Sequence, residues 1–397
     1  MTSENFDVTV VLNYYAPYVS GLTETARIVA EGLAKRGWRV AVVTTQHEAD
    51  LPRQEVLEGV HVFRAPVMFR IGRGPVSPGF LPLVRRIAAR SRSLHLHLPM
   101  LESAPITWLA PAIPIVSTHH IDLWLKPTLI NRLQIRGVNL SVRNAIRNST
   151  HVVVNSEDQA RHSLLWPEVA AGAWSAVPAP CLDPRGGAPA FRDGPGHHVG
   201  FMGRIVPDKG IEYLIQAFQR VAEPHDRLLL AGEYDAVAGG SNIEELRRLA
   251  AGDDRIVFLG LLDRAGTSDF YASIDTFALT SVAESFGIVQ AEAMICGVPV
   301  VGSNLPGGRV PVLQTGFGRL TEPRDVDGIA AALVELRDFP AEEKRRLAEV
   351  AHRLYSADGC IDGYENIFRS LLNGRSARPD RQAGDRVPGQ KKQIEGR

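Results

Sequence analysis

Buried apolar strands alternate with amphipathic helices along this chain, and the alternation runs twice, once on either side of a Gly/Pro-rich stretch at Asp183–Gly196. The first run opens with a strand at Val8–Leu12, a helix over Leu22–Arg36 closed by Gly37, and a strand at Val40–Thr44, which is one βαβ unit. Further strands read at Val60–Phe63, Ser93–Leu98, Ile113–Ser117 and His151–Asn155. The second run opens with a strand at Val199–Gly203 and a helix over Ile211–Val221 whose Leu214, Ile215, Phe218 and Val221 share a face. Strands follow at Leu228–Glu233, Ile256–Leu261, Thr276–Ser281 and Val298–Val301. Parallel strands joined by helices need both sheet faces covered, so each run predicts a doubly wound α/β domain. At 397 residues the chain is also too long for one core. The domains are expected at residues 1–182 and 197–354, with 183–196 as linker, a terminal helix over 355–373 and a polar, aperiodic tail, expected to be disordered, at 374–397.

Lysine and arginine together number 44, as do aspartate and glutamate, so no global field draws the protein to nucleic acid or an acidic membrane. Apolar residues at 45% and charged residues at 22% suit a soluble globular protein. Cys181, Cys296 and Cys360 are far apart and lack metal-ligand spacing, which predicts reduced thiols and a cytoplasmic location. Met1–Asp7 is polar and acidic, so no signal peptide is expected, and no apolar run approaches the ~20 residues that span a bilayer.

Ligands of open parallel sheets lie beyond the carboxyl ends of the strands, so the loops there hold the candidates. In the loop Arg204–Gly210, Arg204 and Lys209 stand five residues apart and suit a diphosphate, one as a guanidinium fork and the other as a compact ammonium. Surface charge is the competing reading. Ala283–Ser303 reads as loop, helix and strand, with Ser285 as the N-cap, Phe286–Cys296 helical and Gly297 as the left-handed residue that ends the helix. Glu292 is the one acid in that apolar helix, and a buried carboxylate needs partners. Glu284 precedes the helix, so the two carboxylates stand roughly 12 Å apart along its axis. Between them the N–H groups of Phe286, Gly287 and Ile288 offer an anion site. Carboxylate, amide cluster and carboxylate suit a ligand with hydroxyls at both ends and phosphates between, which is the layout of a nucleotide sugar. The blander reading makes both glutamates ordinary ion-paired or solvated acids. In the first half, Ser20-Gly21 precedes a helix and can approach a phosphate or sugar. Pro99–Glu102 and Thr118-His119-His120-Ile121-Asp122 fill two more sheet-end loops. Adjacent histidines leaving a strand point in different directions, so either can be a hydrogen-bonded structural residue.

Glu284, seven residues and Glu292, with Phe286-Gly287, Glu292-Ala293-Met294 and Cys296–Val301 around them, resemble the signature of glycosyltransferase family 4. These are retaining enzymes of the GT-B architecture, in which two Rossmann-like domains face a central cleft. Gly203-Arg204-x-x-x-x-Lys209-Gly210 and Thr118-x-His120-x-Asp122 resemble the same family, as does Pro17-x-x-Ser20-Gly21, with Ser20 in place of a first glycine. The resemblance implies that Arg204, Lys209, Gly21 and the amides of Phe286, Gly287 and Ile288 hold the donor diphosphate. It further implies that Glu292 holds the ribose, that main chain at Leu261 meets the nucleobase, and that His120 and Glu284 touch the transferred sugar. The terminal helix is expected to return to the first domain. Pro311 stands where the family has a glutamate, so no role is carried there.

The reaction expected is retaining transfer of a hexosyl group from a UDP- or GDP-linked sugar to a hydroxyl of a small polar acceptor. Glu24, Glu102 and Asp122 make the acceptor side acidic, which suits an aminocyclitol or aminoglycoside of antibiotic biosynthesis. Leu81–Arg92 and the arginines at 132, 136, 143 and 147 form basic amphipathic stretches that suit a lipid-linked or cell-envelope acceptor with weak peripheral membrane contact. Solvated helix faces are the plainer account. Two readings come from other classes: a GT-B sugar-nucleotide epimerase, and a nucleotide-sugar-binding module without activity. No cofactor or metal is expected, because two protein cations serve the diphosphate and no Asp-x-Asp pair lies in a suitable loop.

Overall fold

The structure, a computed structural model, describes residues 5–71, 74–122, 129–235 and 240–374. The first half carries β1 (Val8–Val11), α1 (Gly21–Lys35), β2 (Val40–Gln46), β3 (Gln54–Leu57), β4 (Val60–Pro66), β5 (Phe69–Ile71), β6 (Gly74–Val76), α2 (Phe80–Ala88), β7 (Leu94–Leu98) and α3 (Ser103–Leu109). It continues with β8 (Ile115–His119), α4 (Leu129–Asn148), β9 (His151–Val154), α5 (Glu157–His162), α6 (Trp166–Ala170) and β10 (Trp174–Ala176). The second half carries β11 (His198–Met202), α7 (Ile211–Val221), β12 (Arg227–Ala231), α8 (Ile243–Leu249), β13 (Ile256–Gly260), α9 (Arg264–Ser273) and β14 (Thr276–Leu279). It ends with α10 (Ile288–Ile295), β15 (Val300–Ser303), α11 (Val310–Thr315), β16 (Gly318–Thr321), α12 (Val326–Arg337), α13 (Ala341–Tyr355) and α14 (Ala357–Leu372). The tail expected beyond Gly374 lies outside the described residues.

Eight strands form one sheet in the order β10-β9-β8-β7-β1-β2-β4-β3, and six form another in the order β13-β12-β11-β14-β15-β16. All pairs in both sheets are parallel except β3 with β4. In the second sheet the chain winds outward from β11 in both directions, and the first sheet does the same from β1. A topological switch point therefore falls between β11 and β14 and another between β1 and β7, where adjacent loops diverge and leave a crevice. Sequence periodicity did not find the edge strands β3, β10 and β16, which are short and part-exposed.

Each sheet carries its own core. Val199, Phe201, Leu228, Phe277, Val300 and Met294 belong to the core of the second domain. The first sheet is covered on one face by α2, α3 and α4 and on the other by α1 and α14. Cys360, Ile361, Tyr364, Ile367 and Phe368 of α14 pack among Val8, Val10 and Val29. Arg36 binds Asp362 at 2.6 Å and Glu365 at 2.7 Å, and Trp38 Nε1 donates to Glu365 at 3.0 Å, fastening α14 to the end of α1.

The passage between domains differs from the expectation. Val177 packs in the first core while Ala179 and Cys181 pack in the second. The chain thus crosses before the Gly/Pro-rich stretch, whose Ala188 and Phe191 amides donate to Asp269 and Ser273 of the second domain. Composition marked a segment that lacks regular structure, but apolar anchors at 179 and 181 decide where the chain crosses. Cys181 bridges to Ser356, so outgoing and returning segments cross side by side.

Candidate functional site

On the second domain the loop after β11 closes on a single turn at Pro207–Lys209, and Gly210, at φ 61°, redirects the chain into α7. Thr280, just after β14, donates to the Gly210 carbonyl at 2.9 Å, and Val282 N–H donates to Asp208 at 2.9 Å, joining the two loops that flank the switch point. Lys209 Nζ lies 2.8 Å from Glu284 Oε2 as a result. Glu284 Oε1 accepts from the Ser285 amide at 3.0 Å. Burial pushes the Glu284 carboxyl up, but the Lys209 charge, its hydrogen bond and the Ser285 and Phe286 amides outweigh that and hold it below the ordinary value. Arg204, on the same loop, is exposed and forms no ion pair with any described residue. An anion thus already sits where one ammonium and a helix mouth converge, and the exposed guanidinium of Arg204 belongs to the same loop as that ammonium.

The helix mouth departs from the expected geometry. Ser285 is not the N-cap: α10 starts at Ile288, and Gly287 occupies the cap position at φ 76° with no side-chain cap. A Cβ there would lie 2.6 Å from Gln290 Nε2 and 2.7 Å from Leu279 Cδ2, so both conformation and space require glycine. An uncapped first turn leaves its N–H groups for a ligand. Phe286 is 2% exposed and meets Tyr355 edge-on at 5.5 Å, so its ring belongs to the core and its main chain alone can serve a ligand. Gln290 Nε2 donates to the carbonyls of Phe286 at 2.7 Å and Gly308 at 2.6 Å, stiffening the mouth from below.

Glu292, one turn into α10, accepts from the Tyr271 hydroxyl at 3.1 Å. Burial raises its carboxyl to about 7, against the lowering effect of Tyr271 and the Leu182 amide, and Glu24 of the first domain adds a small upward push from across the cleft. Leu261 follows β13 with 70% of its surface exposed, at the same sheet end.

The first domain contributes a different kind of surface. Gly21 is the exposed first residue of α1, and a Cβ there would meet nothing within 4 Å. Ser20 caps the helix by accepting from the Thr23 amide at 3.3 Å. Glu24 is held by Arg27 at 2.6 Å, whereas Glu102 accepts only from Asn13 Nδ2 at 3.2 Å and meets no cation among the described residues. The adjacent histidines separate as strand geometry requires. His119 ends β8 and bonds Asp122 at 3.1 Å, while His120 Nε2 lies 2.9 Å from His97 Nδ1 with the rings stacked at 5.1 Å. Asp122 also accepts from Ser163 Oγ at 2.7 Å and the Leu164 amide at 3.0 Å. Its oxygens thereby brace the turn between α5 and α6. Burial, then His97 and His119, drives His120 well below the ordinary imidazole value, so it is neutral.

Sequence reasoning missed the contact that joins the domains. Asp158 of α5 takes Arg309 at 2.6 and 2.9 Å in a two-pronged pair and accepts from the Gly307 amide at 2.9 Å. One residue on, Gln159 Nε2 donates to the His120 carbonyl at 2.9 Å. Gly307, at φ 82°, has the Ser285 carbonyl where a Cβ would stand. The glycine pair at Gly307-Gly308 was the available signal, but nothing local to Asp158 marks a partner 151 positions away.

Those contacts bring the carboxyl ends of both sheets to one cleft, with Glu284, Lys209 and the α10 mouth on one wall and His120, Glu102 and Gly21 on the other. Two doubly wound domains so disposed define a GT-B fold. Comparison with known proteins agrees: residues 196–338 match the family model described as Glycosyl transferases group 1, and residues 20–179 match that of the Glycosyl transferase 4-like domain. The chain is 31% identical to a phosphatidyl-myo-inositol mannosyltransferase of Mycobacterium leprae, over 84% of this chain and 88% of that one. It is 26% identical to a D-inositol 3-phosphate glycosyltransferase of Rhodococcus erythropolis, over 86% and 85% respectively. Among solved structures, sucrose-phosphate synthase of Thermosynechococcus elongatus superposes with a TM-score of 0.76 at 20% identity, covering 93% of this chain and all (100%) of that one. Anabaena HepE in complex with UDP and glucose superposes at 0.68 and 20% identity, covering 92% and 100%. The protein belongs to the group 1 glycosyltransferases of the family 4 type, and it is a hexosyltransferase that takes its sugar from a nucleotide sugar.

Proposed function

We propose that this enzyme transfers a hexosyl group, with retention, from a UDP- or GDP-linked donor to a hydroxyl of a small cyclitol-type acceptor. The observation that carries the donor half is the Glu284 carboxylate held by Lys209 and the Ser285 amide: the place where a pyrophosphate would dock already binds an anion. Arg204, Lys209 and the amides of Gly287 and Ile288 then stabilise charge on the leaving diphosphate. Glu292 accepts from the ribose hydroxyls, and main chain at Leu261 faces the base. The acceptor oxygen attacks the anomeric carbon on the face the diphosphate leaves. The carbon–phosphate-oxygen bond breaks as the new glycosidic bond forms, and the acceptor proton passes to the departing phosphate oxygen. His120 and Glu284 hold the hexose. No step is assigned to a metal, and a chelator is expected to leave turnover unchanged.

The named relatives act on inositol-bearing acceptors, which supports a polyhydroxylated ring. Glu102, which meets no cation among the described residues, favours a neutral or aminated ring over a phosphorylated one. An aminocyclitol of antibiotic biosynthesis is the cationic case. The lipid-linked alternative rests on the outer face of the first domain. There Leu81, Pro82, Arg85, Arg86, Ala89 and Leu109 line an open groove of about 520 Å³, well away from the cleft, and the neighbouring Trp108 is 64% exposed. Among the described residues no helix is long and apolar enough to cross a membrane. A screen of UDP- and GDP-hexoses against free cyclitols, aminocyclitols and phosphatidylinositol vesicles, read by mass, tests both. Product formed only on vesicles sinks the soluble-acceptor reading.

A further inference from the structure

Beneath His120 lies a file of buried imidazoles that the donor clamp does not use. His120 Nε2 lies 2.9 Å from His97 Nδ1, and the His97 ring lies 4.2 Å from that of His95. His95 Nε2 meets Thr118 Oγ1 at 2.8 Å, and Thr118 meets the Tyr364 hydroxyl of α14 at 3.0 Å. His95 and His97 are 0% and 1% exposed. In both, the second ring nitrogen is sealed from solvent and has no partner among the described residues: Nδ1 of His95 and Nε2 of His97.

Those sealed atoms fix the direction of the hydrogen bonds. A neutral imidazole carries one N–H and one lone pair. If His120 donated to His97 Nδ1, the His97 proton would have to sit on Nε2, where no described residue accepts it. A buried donor with no acceptor is the costlier arrangement, and orphaned N–H groups are rarer than idle lone pairs. The His97 proton therefore sits on Nδ1 and is donated to His120 Nε2. His120, with its Nε2 lone pair engaged, carries its own proton on Nδ1. The same reasoning puts the His95 proton on Nε2, directed at Thr118.

We propose that His97 is a positioning residue that locks His120 in the Nδ1–H tautomer, making it a fixed hydrogen-bond donor to the transferred hexose and unable to act as a base toward the acceptor. The inference rests on the reading of His120 as a hexose contact. A donor suits a sugar ring oxygen or hydroxyl oxygen, and a rigid one keeps its direction while the anomeric centre reacts.

The test is long-range ¹⁵N–¹H correlation on the full chain with labelled histidine, without ligand, joined to kinetics. His120 Nδ1 should report as protonated and Nε2 as a bare acceptor. His97→Phe should mix the His120 tautomers and lower kcat about ten-fold with a smaller change in donor KM, as expected for one lost directing hydrogen bond. His97→Asn, which keeps an N–H near the Nδ1 position, should restore the tautomer and most of the rate. A wild-type His120 proton on Nε2 overturns the proposal whether or not either variant folds. So does a His97→Phe protein with unmixed tautomer or undiminished kcat. If the tautomer is as stated but His120→Ala transfers sugar at the wild-type rate, the hexose-contact reading is what fails.

Discussion

The two walls of the cleft are made of different materials. The second domain presents charge: one exposed guanidinium, one ammonium, one carboxylate and an uncapped helix turn, all within two loops beside one switch point. The first domain presents neutral polar groups backed by stacked imidazoles, and its acids are mostly engaged, Glu24 by Arg27 and Asp122 by His119. A diphosphate needs opposite charge, whereas a hexose and a polyol need directed hydrogen bonds with no net field. On the proposed reading, the division follows from what each wall would hold.

That contrast is broken most decisively at the charged wall. Replacing Arg204 and Lys209 together by Ala is expected to weaken donor binding by about 3–5 kcal/mol, on the order of a thousand-fold, read by titration calorimetry. Donor affinity unchanged in the double variant would remove the clamp altogether. Glu284→Gln should split two quantities the clamp now couples. Lys209 loses its resident anion, so free nucleoside diphosphate should bind as well or better, while hexose transfer falls on the order of a hundred-fold through loss of a charge-assisted contact. If both fall together, Glu284 is holding the loop instead of the sugar.

The pair joining the walls has a smaller role. Asp158→Ala is expected to lower kcat/KM about ten-fold, because Gly307 and the segment bearing the His120 carbonyl are both positioned from α5. Arg309→Ala should match it, and the double variant should be no worse than either, the signature of one shared interaction in a double-mutant cycle. Additive losses would mean that each residue acts alone.

How much of this could be read beforehand tracks the same division. The charged wall is local: Arg204 with Lys209, and Glu284 with Glu292, lie within short stretches whose spacing states their geometry. Even there the cap was misplaced, because Gly287 holds a left-handed turn that a list of preferred cap residues does not weigh against Ser285. The neutral wall is assembled across strands. His97 and His120 meet only because β7 and β8 are in parallel register, with Leu98 opposite His119, and nothing in the composition of Leu94–Leu98 separates a core strand from a polar relay. Arg309 and Asp158 meet only once two domains dock. The linker was misplaced for a related reason: glycine and proline report missing secondary structure, while the burial of Ala179 and Cys181 decides where the chain changes domains.

The smallest expected effect lies at Glu292, and its sign follows from the buried carboxyl. Its pKa stands at about 7, raised chiefly by burial, so near neutrality the site is divided between acid and carboxylate. Both ribose hydroxyls donate best to the carboxylate, and a bound donor therefore favours loss of the proton. By linkage, donor affinity must rise as pH climbs through about 7 and level off above it, with proton release accompanying binding near the midpoint. Between about pH 6 and pH 8 the gain is about five-fold, because the protonated acid still accepts one hydrogen bond. Glu292→Gln should bind more weakly and lose the slope, leaving the charged clamp to set a pH-independent affinity. A slope that persists in the Gln variant would move the titrating group elsewhere, and a slope of opposite sign would mean that the ribose is held by the protonated acid.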